Sequence, residues 1–279
     1  MSNIILSEEQ KLAAEYNAPG AYAIKGIAGS GKTTVGIHRI PYLLSKCVED
    51  DDKVLVVTFH KTLVNYLEHL VKEEIHLFQH EINFSGSKWL NKLEVISIDD
   101  LMDIYYEKYR LNTKNKKRFP KLPEEISNQP KIEKIFSEVL EKLRKKYNNP
   151  ILDKLNNEFL MEEVQYLFSN KIENEKYYQG LTRKGRNRFS DINKNLKKKS
   201  KERKIIFELR SQFLKLQITK GKIDRYVKRR LALAQIMQDP PKDITHLVVD
   251  EAQDLDKVRF DFLKHFPSNK RNASATFLY

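Results

Sequence analysis

Gly26-Ile-Ala-Gly29-Ser30-Gly31-Lys32-Thr33-Thr34 decides the reading of this 279-residue chain. It fits G-x-x-x-x-G-K-[ST], the pattern of a phosphate-binding P-loop. Its glycines let the backbone curl, so that successive N–H groups point at phosphate oxygens. A helix leaving the loop adds the positive end of its dipole. The context fits: residues 21–27 (AYAIKGI) read as a buried strand entering the loop, and residues 33–46 as a helix leaving it. Gly26, Ala28, Gly29, Ser30, Gly31 and Thr34 are then nucleotide-binding positions. Lys32 reaches the β- and γ-phosphates, and the Thr33 hydroxyl ligates Mg²⁺. The plainer alternative is a glycine-rich turn that matches by chance.

Outward from the loop, residues 7–16 read as a short helix capped by Ser7, with Glu8 and Glu9 in the first turn where the dipole favours them. Pro41 predicts a bend or an early stop in the helix after the loop. Residues 53–59 (KVLVVTF) form a nearly continuous apolar run, which suits a parallel sheet covered on both faces. Residues 61–80 follow as an amphipathic helix with Leu63, Leu67, Leu70, Val71, Ile75 and Phe78 on one stripe. Residues 93–98 are another strand and 99–109 another helix. Strand and helix alternate, so the class is α/β with a parallel sheet and helices on both faces.

Residues 245–250 (THLVVD) return to the buried-strand pattern after a long interruption. They run into Asp250-Glu251-Ala252-Gln253-Asp254, the carboxylates that a P-loop needs, usually at the end of a neighbouring strand. Asp250 is placed to hold Mg²⁺, and Glu251 to orient and deprotonate the attacking water. An acidic helix cap after a strand is the bland alternative. Residues 257–266 read as a last helix and 273–279 as a last strand.

The interruption has a different character. Residues 110–243 hold no convincing buried strand but four helical patterns, at 131–147, 155–168, 202–216 and 223–237. The expected organisation is therefore a sheet domain over 1–109 and 244–279, split by a helical insertion at 110–243. The chain carries a net charge of +13, and its distribution matters more than its size. Residues 103–243 hold 36 Lys and Arg against 19 Asp and Glu, a surplus of +17, while the remainder is at −4. Phosphate contact needs only positive charge on one face, so the block invites a polyanion. Arg183, Lys184, Arg186, Arg188, Lys197, Lys198 and Lys199 are the densest part. A solvated Lys-rich surface is the competing reading.

Other classes fall away. No apolar run is long enough to span a bilayer, and residues 1–10 do not read as a signal peptide. The single Cys47 excludes an intrachain disulfide and suits a reducing cytoplasm. His76 and His80 stand four apart on a helix but have no third ligand nearby.

Taken together, the P-loop and the run Val248-Val249-Asp250-Glu251-Ala252-Gln253-Asp254-Leu255 resemble a UvrD/Rep-type superfamily 1 helicase. Leu6-Ser7-Glu8-Glu9-Gln10 resembles the family's Q motif, which implies that Gln10 reads adenine. Arg39 matches a family arginine near the base, and Gln253 falls within the second ATP motif. Val57-Thr58-Phe59-His60-Lys61 resembles motif Ia, which contacts single-stranded DNA. Val95 to Asp99 resembles the following T-x-H-S motif, with Ser97 and Asp99 where that motif has Thr and His. The resemblance implies a RecA-like ATPase domain with a helical insertion, using ATP and Mg²⁺ on single-stranded or partly duplex DNA. In the family a second RecA-like domain follows, whose arginines stabilise the transferring phosphate, worth about 10³–10⁵ in rate in related NTPases. The chain is thus expected to be the ATP-binding half of a helicase or translocase, weak or inactive alone. Its expected partner is a protein supplying the second motor domain, or a nuclease. Two alternatives stay open: a non-translocating nucleotide-gated switch, and an RNA-directed version of the same ATPase.

Overall fold

Apolar runs and amphipathic stripes settle into two packed units in a computed structural model, which describes residues 6–16, 18–82, 87–112, 123–126, 128–147, 155–182 and 196–279. In chain order the first elements are α1 (Glu8–Glu15), β1 (Gly20–Ile24), α2 (Lys32–Ser45), β2 (Lys53–Thr58), α3 (Val64–Ile82), α4 (Ser87–Leu90), β3 (Leu93–Ser97) and α5 (Ile98–Leu111). Then come β4 (Glu124–Glu125), α6 (Gln129–Tyr147), α7 (Asn157–Ser169), α8 (Glu175–Gly180), α9 (Lys201–Lys220), β5 (Lys222–Ile223) and α10 (Arg225–Gln238). The chain closes with β6 (Ile244–Val249), α11 (Lys257–Leu263) and β7 (Ser274–Leu278). The sheet unit comprises Met1–Tyr105, Gln235–Leu255 and Arg259–Tyr279, and the helical unit Tyr106–Ala234 with Asp256–Val258.

The sheet is five-stranded in the order β1-β7-β6-β2-β3, and every pairing is parallel. Side chains alternate across a strand, and β7 shows what each face meets. Thr276 bonds Arg39 of α2, and Leu278 lies against Gly36 of the same helix, so close that a Cβ there would sit 2.6 Å from Leu278 Cδ1. Phe277 points the other way and packs on Phe260 of α11, ring centroids 5.2 Å apart. Helices therefore cover both faces, as the apolar run of β2 requires. Ile40, Leu43, Leu44, Val54, Val56, Val71, Ile75 and Val248 form the core on the α2–α3 side.

Three expectations need correction. Residues 21–27 do not form a buried strand. β1 lies at the edge of the sheet, half exposed, and ends at Ile24, while Ile27 is 83% exposed. Second, of the bend or early stop expected at Pro41, the stop does not occur, and α2 runs through to Ser45. An interior proline costs a helix about 3 kcal/mol. Ile40, Leu43 and Leu44 around it are 2% exposed or less, and such burial returns about 1.5–3 kcal/mol per side chain. Third, the last helix stops at Leu263 rather than Phe266.

In the helical unit, α9 packs against α6, α7 and α8. The expected stripe of α6, from Ile132 to Leu143, is buried, and Phe136 meets Phe213 of α9 edge-on at 5.3 Å. Ser200 caps α9, and Gly221 ends it in the left-handed conformation, φ 62°. Buried Asp224 then accepts from Val227 N and Gln217 Nε2, which starts α10. A two-residue parallel ladder joins β4 to β5, too short to leave a pattern in the sequence. Among the described residues no helix is long and apolar enough to cross a membrane.

Candidate functional site

The loops after β1, β2 and β6 leave the carboxyl ends of parallel strands, the usual ligand edge of an open α/β sheet. The P-loop is the first. Gly29 and Gly31 take φ of 79° and 80°, which L side chains rarely adopt. At Gly26 a Cβ would lie 2.2 Å from Ser30 Oγ, so that hydroxyl would have to turn aside. Lys32 Nζ donates to the carbonyls of Gly26 and Ile27, 3.0 Å each. A phosphate would offer that ammonium charged acceptors, which make roughly twice as strong a hydrogen bond.

β6 is not adjacent to β1, since β7 lies between them. The two motifs still meet. Thr33 Oγ1 donates to the Asp250 carboxylate, 3.3 and 3.4 Å from its two oxygens, across 217 residues of sequence. Asp250 is only 6% exposed. Burial, and then the Glu251 carboxylate beside it, hold its pKa above the ordinary value. A divalent cation would reverse that balance. One carboxylate and one hydroxyl are hard oxygen donors of the kind Mg²⁺ takes, completed by waters and phosphate oxygens. These residues therefore fit the ion.

Glu251 has φ 53°, ψ 43°, a left-handed conformation that costs a non-glycine residue about 1–2 kcal/mol. The 3₁₀ turn Ala252–Asp254 follows it, and Gln253 Nε2 donates to Glu251 Oε2. Gln253, expected at the nucleotide, thus bonds the carboxylate proposed as base.

Gln10 completes a capping box with Ser7, and its Nε2 reaches Ser30 O of the P-loop at 3.1 Å. Arg39 is 1% exposed. Its guanidinium donates to Ala14 O (2.7 Å), Ala13 O (3.4 Å) and Thr276 Oγ1 (3.0 Å), and lies 4.9 Å from the Tyr22 ring centroid. Burial lowers its pKa to about 10. Arg39 ties α1, which carries Gln10, to α2, which carries Lys32 and Thr33. Arg39→Ala is expected to cost about 3 kcal/mol or more, since it empties a buried site and strips two carbonyls of a donor. Urea denaturation checks this. Native stability with lost nucleotide affinity would assign Arg39 to the base instead.

Phe59, His60 and Lys61 follow β2 at the same edge. Phe59 is half-buried, with Arg259 of α11 5.0 Å from its ring centroid and His60 edge-on at 5.1 Å. Arg259 Nη2 also bonds both oxygens of Asp99, at 3.0 and 3.1 Å. Lys61 pairs with Asp100 at 2.7 Å, and Ser97 Oγ donates to the same carboxylate. Arg259 is a residue that sequence reasoning missed. Nothing in its surroundings marks it, because its ring and its carboxylate come from distant segments.

Lys197, Lys198 and Lys199 are exposed. Arg183, Lys184, Arg186 and Arg188 lie outside the described residues, as does the His80 side chain. The acidic residues Glu49, Asp51 and Asp52 surround Lys270 Nζ at 2.8, 2.8 and 2.6 Å, so a lysine already neutralises that cluster.

A family model described as the UvrD/REP helicase N-terminal domain matches residues 6–278. A comparison with curated proteins gave no match.

Proposed function

The chain belongs to the UvrD/REP helicase N-terminal domain family, and from that premise we propose that it binds ATP·Mg²⁺ on the loop from Gly26 to Thr34 and single-stranded DNA beside it. The observation that carries this reading is the Thr33–Asp250 contact, which gathers the phosphate loop and the acidic motif at one point. Lys32 binds the β- and γ-phosphates, Thr33 and Asp250 hold the ion, and Glu251 takes the proton of the attacking water. The ion, when bound, neutralises charge on the phosphates. Gln10 lies against the loop and is the candidate reader of adenine.

Phe59, His60 and Lys61 face the strand in this reading, with Arg259 setting the Phe59 ring. Strand movement needs a second motor domain, in this chain or another, whose arginines would stabilise charge on the γ-phosphate. Hydrolysis by residues 1–279 alone is then slow. The test is ATP turnover with and without single-stranded DNA, read beside strand displacement when a second motor domain is supplied. Nucleotide-dependent DNA affinity without turnover would favour a switch instead. An RNA oligonucleotide that stimulates turnover better than DNA would move the substrate to RNA.

The basic stretch is proposed to bind backbone phosphates. Replacing Lys197, Lys198, Lys199 and Lys201 by alanine should weaken DNA binding and leave ATP binding alone. Each lost contact should lower the log–log salt slope by about 0.7 on single strands and about 0.9 on duplex. An unchanged slope would return these lysines to solvated surface.

A further inference from the structure

The helical unit contains an alternating stack of arginines and aromatic rings. Arg203 lies 5.2 Å from the Tyr178 ring centroid, and Tyr178 stacks on Phe207 at 6.4 Å and 30°. Arg210 follows, 5.6 Å from Phe207 and 5.1 Å from Phe168, and Arg230 is 5.9 Å from Phe168. Arg203 donates to the carbonyls of Tyr178, Gln179, Leu181 and Leu196 through its two terminal nitrogens, although its Nε is buried without a partner.

Arg210 differs. It is only 6% exposed, yet among the described residues nothing accepts a hydrogen bond from it, and its Nε is buried without a partner. Burial first, and Arg230 second, lower its pKa to about 10. Arg230 has the same defect at Nη1, which is buried and unpartnered, while its Nη2 pairs with Glu173. Arg230 and Glu173 are the charged groups that act on Arg210. Two guanidiniums thus face one carboxylate, a net positive charge in which Arg210 is nearly buried, Arg230 partly exposed and Glu173 half-exposed. Aromatic faces compensate a buried cation only in part. Such a charge is retained at little cost when its counter-anion comes from outside.

We propose that Arg210 and Arg230 form an oxyanion site on the helical unit that takes a phosphate group, with Glu173 as its internal competitor. The planar fork of arginine matches phosphate geometry, and one phosphodiester charge neutralises the cluster. The phosphate is either a link in a nucleic-acid strand or a free anion. The proposal does not depend on the reading of the nucleotide loop.

Two variants test it in the 279-residue chain. Arg210→Met keeps the bulk between the rings and removes the charge. Glu173→Gln removes the competitor at a half-exposed position. With labelled oligothymidylate, Arg210→Met should bind several-fold more weakly with a salt slope lower by about 0.7, and Glu173→Gln should bind more tightly. Inorganic phosphate is titrated in parallel while the arginine Nε–H resonances are followed by NMR. Phosphate that moves Arg210, with an unchanged oligonucleotide slope, assigns the site to a free anion. A lowered slope assigns it to a strand. If Arg210→Met does not fold, the phosphate titration of the native chain and of Glu173→Gln decides. A native Arg210 resonance indifferent to phosphate, with oligonucleotide binding unaltered by Glu173→Gln, overturns the proposal and leaves the stack as packing. ATP affinity, measured on the same samples, is untouched by every outcome.

Discussion

Glu251→Gln should leave ATP binding intact and lower hydrolysis by about 10²–10⁴-fold, the usual contribution of a positioned base. The amide keeps the size of the carboxylate and can still bond Gln253, but it cannot accept the proton of the attacking water. Its neighbour should respond as well. The Glu251 charge helps to raise the Asp250 pKa, so the variant should hold Asp250 ionised more readily, and Mg²⁺-dependent ATP affinity should stay level or rise. Slow turnover does not obscure the result, because the bound nucleotide can be extracted after incubation and identified. The native chain should carry ADP and the variant ATP. ADP accumulating equally in both would remove Glu251 from the base role.

Lys32→Ala should weaken ATP binding by about a hundred-fold or more. Hydrogen bonds to charged groups contribute about 1.5–3 kcal/mol each, and this ammonium has two phosphates to reach. It bonds two carbonyls of its own turn, and among the described residues no hydrogen bond ties it to another element. Stability should therefore change little, and far-ultraviolet circular dichroism serves as the control. Titration with a fluorescent ATP analogue gives the affinity. A folded variant with native affinity would sink the phosphate-loop assignment. Arg39→Ala makes the contrast: there the fold should weaken first, because the side chain is buried against three elements instead of facing the loop.

Much of this protein was legible because its signals are local. The P-loop from Gly26 to Thr34 is one turn of backbone whose glycines and Lys-Thr pair are adjacent in sequence. The apolar runs of β2 and β6 and the stripe of α6 declare their burial through periods of two and 3.6, set by strand and helix geometry alone. The short ladder between Glu124–Glu125 and Lys222–Ile223 left no such trace, since two residues make no period. The exposed edge position of β1 was equally silent, because strand order is a property of the sheet and not of any strand in it. Arg39 was readable as a family arginine, but its carbonyl partners on α1 and its hydroxyl on β7 were not. The same holds for Arg259 with Phe59 and Asp99, and for Arg210 with Phe168, Phe207 and Arg230. Most of the element types and the parallel α/β class could be read from the chain alone, since each rests on residues a few positions apart. Tertiary structure alone decided which charges are buried and what they face. Desolvation and ion pairing depend on groups that only the packed chain brings within a few ångströms.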